Sequence, residues 1–180
     1  MRIGLVYLRP RRVVYVRRTG PTGVASAEAW AVMLDWVKRQ GMRQKLGCVY
    51  GLVARDQEQI DSKTCRYDAC IEIPDGFEHI RTDGVSTQML PGGAFARVRH
   101  VGPYDHVRNA IVNVRDKWIG TEPQLALDRR RPLLIAFLDD PERRESAKLR
   151  CDVCVPVRAD QEDAIGRVSR VPRRAKADLI

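Results

Sequence analysis

The segment RRVVYVRR at residues 11–18 gathers β-branched and aromatic residues and runs into Thr19-Gly20-Pro21, the pattern of a β-strand closed by a chain breaker. The period then changes. From Ser26 to Gln40 apolar residues recur at Ala29, Val32, Met33, Trp36 and Val37, which is helical spacing, with Ser26 as N-cap and Gly41 as the stop. Residues 51–74, GLVARDQEQIDSKTCRYDACIEIP, are two short apolar runs joined by a polar stretch, a hairpin whose loop is longer than a tight turn. The same order returns further on. A strand through Ala96 and Val98 leads to Asp105 as a cap, then to a stripe of Val107, Ile111, Val114 and Trp118, and to a stop at Gly120. A second hairpin comes next in AFLDDPERRESAKLRCDVCVPV, residues 136–157.

The recurrence is written in the residues themselves. VRRTGP at 16–21 and VRHVGP at 98–103 match at an offset of 82, which also sets Val14 on Ala96 and Trp36 on Trp118. Downstream the offset becomes 84, so that Asp68 meets Asp152 and Cys70 meets Cys154. The expected fold is α+β: a tandem β-α-β-β repeat with pseudo-two-fold symmetry, in which an antiparallel sheet carries two helices on one face and leaves a cleft between the halves. One such unit buries too little alone, and joining two enlarges the core. The first repeat is expected at residues 12–74 and the second at 94–157, joined by a polar, glycine-containing connection at 75–93. Together these form a single domain over residues 1–157, with a flexible basic tail at 158–180.

Composition narrows what such a domain does. The chain of 180 residues is 44% hydrophobic and 31% charged, and its formal net charge is +9. Its mean hydropathy is −0.36. No apolar run approaches the ~20 residues of a membrane span. The patch from Ile3 to Leu8 is too short for a signal-peptide core, so a cytoplasmic location is expected. The basic residues are dispersed, and the tail carries six Lys or Arg against four Asp or Glu, so the charge reads as a solvated surface without sequence-specific nucleic-acid binding. Five cysteines, an odd number, point to free thiols. Cys151 and Cys154 have metal-ligand spacing, but they lie in an alternating strand that turns them to opposite faces, so no metal is assigned. His79, His100 and His106 accompany no nucleophile at a recognisable spacing, and Gly92-Gly93 after Pro91 reads as a turn, not a phosphate loop.

Taken in order, GFEHIRTDGVSTQMLPGG, GAFARVRHVGPYDHV, Trp118 and RPLLIAFLDDPERRESAKLRCDVCVPV, with RYDACIEIP in the first half, resemble the GyrI-like effector-binding domain from about Arg12 to Val157. That family comprises ligand-binding domains of AraC- and MerR-type multidrug regulators and stand-alone gyrase inhibitory proteins. The resemblance implies the tandem fold derived above, with a pocket between the halves for bulky aromatic or cationic compounds. It also implies a stand-alone binder of a small hydrophobic or aromatic ligand, without cofactor or membrane, modulating transcription or another protein such as a regulator or gyrase. The family pattern before the DDP turn is aromatic, glutamate, one residue, aromatic; here Leu134, Ile135 and Phe137 take those places. In the family the glutamate pairs with cationic drugs, and in some stand-alone members it hydrolyses cyclopropane-bearing compounds. Ile135 can neither ionise nor move a proton, so no catalytic residue is assigned. A hydrolase would need another carboxylate, such as Glu72, in the cleft; inhibition of gyrase rests on kinship alone.

By alternation Ile135 and Phe137 share a face, and the family pattern places that face on the pocket; Gly51 and Val53 are their equivalents at offset 84. These four are either pocket lining or ordinary core. Trp118, like Trp36, is either core or a ligand platform, and the hydroxyl of Tyr104 either bonds a ligand or fixes its turn. Tyr15, with Arg17, Arg97 and Arg99, alternates onto the face away from the helices, which fronts either the cleft or solvent. The candidate ligand-binding set is thus Tyr15, Gly51, Val53, Tyr104, Trp118, Ile135 and Phe137.

Overall fold

The computed structural model of the chain describes residues 2–41, 47–54, 63–73 and 84–160. The first half runs β1 (Ile3–Leu8), β2 (Arg11–Thr19), α1 (Thr22–Arg39), β3 (Val49–Ala54) and β4 (Arg66–Glu72). The second runs β5 (Ser86–Leu90), β6 (Gly93–Val101), α2 (Val107–Val112), β7 (Leu125–Leu127), β8 (Leu133–Phe137) and β9 (Arg150–Ala159). Eight strands form an antiparallel sheet in the order β1-β6-β9-β8-β3-β4-β2-β5, and β7 pairs with the end of β9.

The order is itself two-fold. At its centre β3 pairs with β8, and Gly51 lies opposite Ile135, its own counterpart at offset 84, flanked by Val49 opposite Phe137 and Val53 opposite Leu133. The approximate axis therefore passes through the Gly51–Ile135 pair. The symmetry extends beyond the expected β-α-β-β units. At offset 82 β1 corresponds to β5, and each crosses to the other half: β1 pairs with β6 and β5 with β2. The short apolar patch Ile3–Leu8 and the end of the 75–93 connection are thus edge strands. Their signal in the sequence is weak because an edge strand buries little: in β5 only Leu90 is fully buried.

These exchanges coil the sheet. Only two residues, Arg9-Pro10, lie between β1 and β2, and only Pro91-Gly92 between β5 and β6. Each pair of strands stands six places apart in the sheet, roughly 29 Å if the sheet were flat, whereas three extended residues reach about 11 Å. The edges must curl toward each other at that end. The two connections cross there, so close that a Cβ on Gly92 would sit 2.6 Å from Pro10 Cδ. Arg131 fastens the crossing, donating to the carbonyls of Gly92, Ala94 and Val157 with its guanidinium over the Phe95 ring.

The repeated Gly-Pro arises from the geometry of each strand end. Gly20 and Gly102 take φ of 147° and 131°, a region that strains residues with a Cβ, and donate to Cys65 O and Leu149 O at 2.9 and 2.8 Å. The adjoining prolines fix the first backbone angle of the helix entry. The first helix accordingly begins at Thr22, four residues before the expected cap; Ser26 lies inside it, its hydroxyl donating to Gly23 O at 3.0 Å. Asp105 is likewise no cap. A 3-10 turn over Tyr104–His106 leads into α2, which continues as a π-helical turn over Asn113–Trp118 and a 3-10 turn over Ile119–Thr121. Val107 and Ile111 are buried as Ala25 and Ala29 are. The wider π turn rotates the C-terminal end of this segment, so Trp36 is buried at 1% exposure while Trp118 is half-buried and Ile119 turns inward.

The core has two parts. Between sheet and helices, Val14, Val16, Met33, Trp36, Ile71, Val98, Val114 and Val153 belong to the larger cluster; inside the curl, Val13, Leu52, Cys70, Leu90, Phe95, Leu134 and Cys154 form the smaller. Cys151 belongs to the first and Cys154 to the second, as alternation requires, and burial pushes both thiols up to about 12. No helix among the described residues is long and apolar enough to cross a membrane.

Candidate functional site

Helix α1 rests on β2 and β4, and α2 on β6 and β9, so β3 and β8 at the axis run between the helices. Alternation turns Val49, Gly51 and Val53 of β3, Leu133, Ile135 and Phe137 of β8, and Tyr67, Ala69 and Ile71 of β4 to the helix side. Gly51, Val53 and Ile135 are buried, while Phe137, Trp30 of α1 and Tyr104 are half-buried. The three rings form an outer layer on an apolar floor. Trp30 meets Phe137 edge-on with centroids 5.8 Å apart, and Tyr104 meets the same ring at 4.8 Å. Both arrangements suit the quadrupoles of the rings.

Beneath Trp30 lies Tyr67, whose hydroxyl accepts the Trp30 indole N–H at 3.0 Å. Burial holds its phenol well above the usual range, so it stays protonated. The hydroxyl rests over Gly51: a Cβ there would come within 2.3 Å of it. Gly51 thus belongs to the site because it makes room for Tyr67. Tyr104 is fixed differently. Its hydroxyl lies 2.8 Å from Asp139 O and 3.1 Å from Arg150 O, so its proton holds the link between β8 and β9. Arg150 and Arg144 in turn hold the Asp139 carboxyl down at about 2.

Of the residues singled out in the sequence, Gly51, Val53, Tyr104, Ile135 and Phe137 come together here. Trp118 packs against the same core from the second helix. Tyr15 does not join them. It lies inside the curl, on the opposite face, with the Arg17 guanidinium 4.9 Å from its ring centroid. On that face Arg17 grips Asp68 through two hydrogen bonds of 2.8 Å, and Arg99 grips Asp152 in the same way, the second pair repeating the first. Asp68 is 1% exposed and also accepts from Gln88 at 3.1 Å. Arg17 and Arg99 thus neutralise buried carboxylates with one side of their guanidinium groups while remaining partly open to solvent, 37% and 49% exposed, so the solvent alternative holds for both. Glu72 is on this face too, paired with Arg11 at 3.0 Å and accepting from Tyr50 at 3.3 Å, so it does not reach the groove between the helices. A concavity of about 370 Å³ opens on the same face, with Leu134 and Ala136 in its lining and Arg9, Arg11 and Arg97 among the charged groups around it. His100 points to Pro103 O at 3.0 Å, and His79 lies outside the described residues.

Trp30 and Tyr67 were not singled out in the sequence. Trp30 sits on the shoulder of the α1 stripe beside Ala29, and Tyr67 alternates with Ala69 and Ile71, so both read as core. The available signal was polarity: two large side chains with hydrogen-bonding tips on otherwise aliphatic faces.

A two-fold antiparallel sheet with one helix per half, and half-buried aromatic rings over the seam between them, is the frame of a small-molecule-binding module. Comparison with known proteins agrees, for residues 1–158 match the model of the GyrI-like small molecule binding domain. The chain belongs to that family. It is 25% identical over 128 residues to the probable transcriptional regulator YgiV of Escherichia coli (strain K12), covering 71% of this chain and 78% of that protein. Its fold is similar to the C-terminal domain of EcmrR, with a TM-score of 0.69 at 17% identity, covering 87% of this chain and 97% of that one. It is also similar to a hydrolase from Listeria innocua, with a TM-score of 0.62 at 16% identity, covering 87% and 91%.

Proposed function

We propose that this protein binds a flat, hydrophobic aromatic molecule in the groove over the β3–β8 seam, without chemical conversion, and that the bound state acts on a protein partner in transcription or a related process. The aromatic layer carries this reading: Trp30, Phe137 and Tyr104 touch edge to edge, half-buried, over the aliphatic floor of Val53, Leu133 and Ile135. A flat ligand entering between Trp30 and Phe137 would exchange one ring contact for two stacked faces. Among the described residues, four carboxylates on or beside the sheet are engaged elsewhere. Asp68, Glu72 and Asp152 are paired with arginines on the other face, and Asp139 is tied to Arg144 and Arg150. That arrangement favours binding over hydrolysis. Any effect on DNA would come through a partner, since the described helices offer no recognition helix and the basic residues are dispersed.

Titration with neutral polycyclic aromatics, monitored by quenching of tryptophan fluorescence, tests the reading. Saturable binding is expected, and Trp30→Ala should weaken it about tenfold or more. Turnover of the titrated compound, or binding indifferent to Trp30→Ala, would count against it.

A further inference from the structure

Over the β3–β8 seam the hydroxyl of Tyr67 donates no hydrogen bond to any of the described residues. Tyr67 accepts from Trp30 but is itself protonated, and no acceptor for its own O–H lies within reach among the described residues. Tyr67 is 2% exposed. The oxygen is satisfied as an acceptor, and its capacity to donate is what stays open to a ligand. Its setting is built: Gly51 leaves open the space in which the hydroxyl lies, and Ile135, opposite Gly51 in the register, offers only hydrocarbon. The indole of Trp30 covers the hydroxyl from above. A ligand that displaces that ring meets the proton directly.

Resting on the groove being the binding site, we infer that its ligand is a neutral, flat aromatic carrying a carbonyl or equivalent acceptor, which takes the proton of Tyr67 as it slides beneath Trp30. A ring system of the same shape without the acceptor would leave the donor unpaired and lose affinity. A cation would find a donor where it needs an acceptor.

Xanthone and xanthene, tricyclic compounds differing by a carbonyl in place of a methylene, separate these cases in equilibrium dialysis. Xanthone should bind the unmodified protein about tenfold or more tightly than xanthene. Tyr67→Phe should abolish the preference and bring xanthone and xanthene to equal affinity. Ile135→Glu, which gives Tyr67 an acceptor within the protein, should level the pair in the same way and serves where Tyr67→Phe folds poorly. Equal affinities in the unmodified protein, or a xanthone preference that survives both substitutions, would overturn the inference while leaving the groove as an aromatic site. Failure of both compounds to bind, or binding unaffected by Trp30→Ala, would overturn the groove reading and the inference with it.

Discussion

Replacing Ile135 by glutamate sets a carboxylate on the two-fold axis of the sheet, opposite Gly51. Ile135 is 6% exposed, within the cluster that includes Val53, Leu133 and Ala69. Burial there should raise the carboxyl pKa; a shift of two units corresponds to about 2.7 kcal/mol at neutral pH. Loss of aliphatic burial adds about 1 kcal/mol. A hydrogen bond from Tyr67 to the charged group returns about 1.5 kcal/mol. The variant should therefore be about 2 kcal/mol less stable than the unmodified protein at pH 7.5. The sign with pH is fixed. A folded-state pKa above the unfolded value of about 4.3 means that the charge penalty is absent in acid and grows as pH rises through the raised pKa.

Urea unfolding of both proteins at pH 5 and 7.5 measures this, and the stability gap should widen at the higher pH. Dye titration measures the consequence for ligands. Arg17, Arg97 and Arg99 lie on the other face of the sheet, so they do not tilt the groove toward anions, and its preference rests on the missing counter-charge alone. The unmodified protein should bind the cation rhodamine 6G weakly, because burying an unpaired charge costs several kcal/mol. Ile135→Glu should gain about tenfold or more for that dye. Tight binding of the cation by the unmodified protein would mean that another acidic group faces the groove. A stability gap that does not change with pH would place residue 135 outside the buried floor.

Three further outcomes test the architecture. Gly51→Ala forces a Cβ into the Tyr67 hydroxyl at 2.3 Å, and overpacking of this kind costs about 1–3 kcal/mol, read as a lower urea midpoint and a loss of aromatic-dye binding. Arg17→Met strips the bidentate partner from Asp68 and should cost about 3 kcal/mol; each aspartate keeps a more distant arginine, Arg66 at 3.9 Å and Arg97 at 3.8 Å, so Arg99→Met should cost less only because Asp152 and Arg99 are the more exposed pair. Asp139, with its pKa lowered to about 2, contributes stability that is complete at neutral pH and fades as pH falls from near 4 through 2, so Asp139→Asn should flatten the acid limb of the unfolding midpoint plotted against pH.

The sequence carried the repeat because its key residues have backbone reasons. Gly20 and Gly102 are required by their φ angles and the prolines after them by the helix entry, so the motif survives in both copies. Alternation in the two hairpins placed Gly51, Val53, Ile135 and Phe137 on one face correctly. What stayed illegible depends on pairing at long range. Nothing local in Ile3–Leu8 or Ser86–Leu90 says that each strand crosses to the other half, and nothing in Asn113–Trp118 announces a π turn that draws Trp118 away from the environment of Trp36. From alternation alone the face of Tyr15 fronts either the cleft or solvent. The coiling of the sheet creates a third possibility, an interior of its own, and Tyr15 lies there.

The same symmetry explains why the groove is one-sided. On the axis a perfect two-fold would set identical residues opposite each other, and this chain sets Gly51 against Ile135. The difference spreads outward. At the offsets of the repeat, Tyr67 corresponds to Cys151, Trp30 to Val112, Phe137 to Val53 and Tyr104 to Thr22, so every ring of the site has a small counterpart in the other copy. A symmetric groove would offer a ligand two equivalent poses and a donor in each. Here the glycine admits the hydroxyl from one side only, the isoleucine fills the other, and the rings close over a single orientation. Duplication supplied the frame and its central seam; on the reading proposed above, divergence at the pair on the axis, and at the four aromatic positions around it, would convert that seam into a site with one direction of approach and one proton to give.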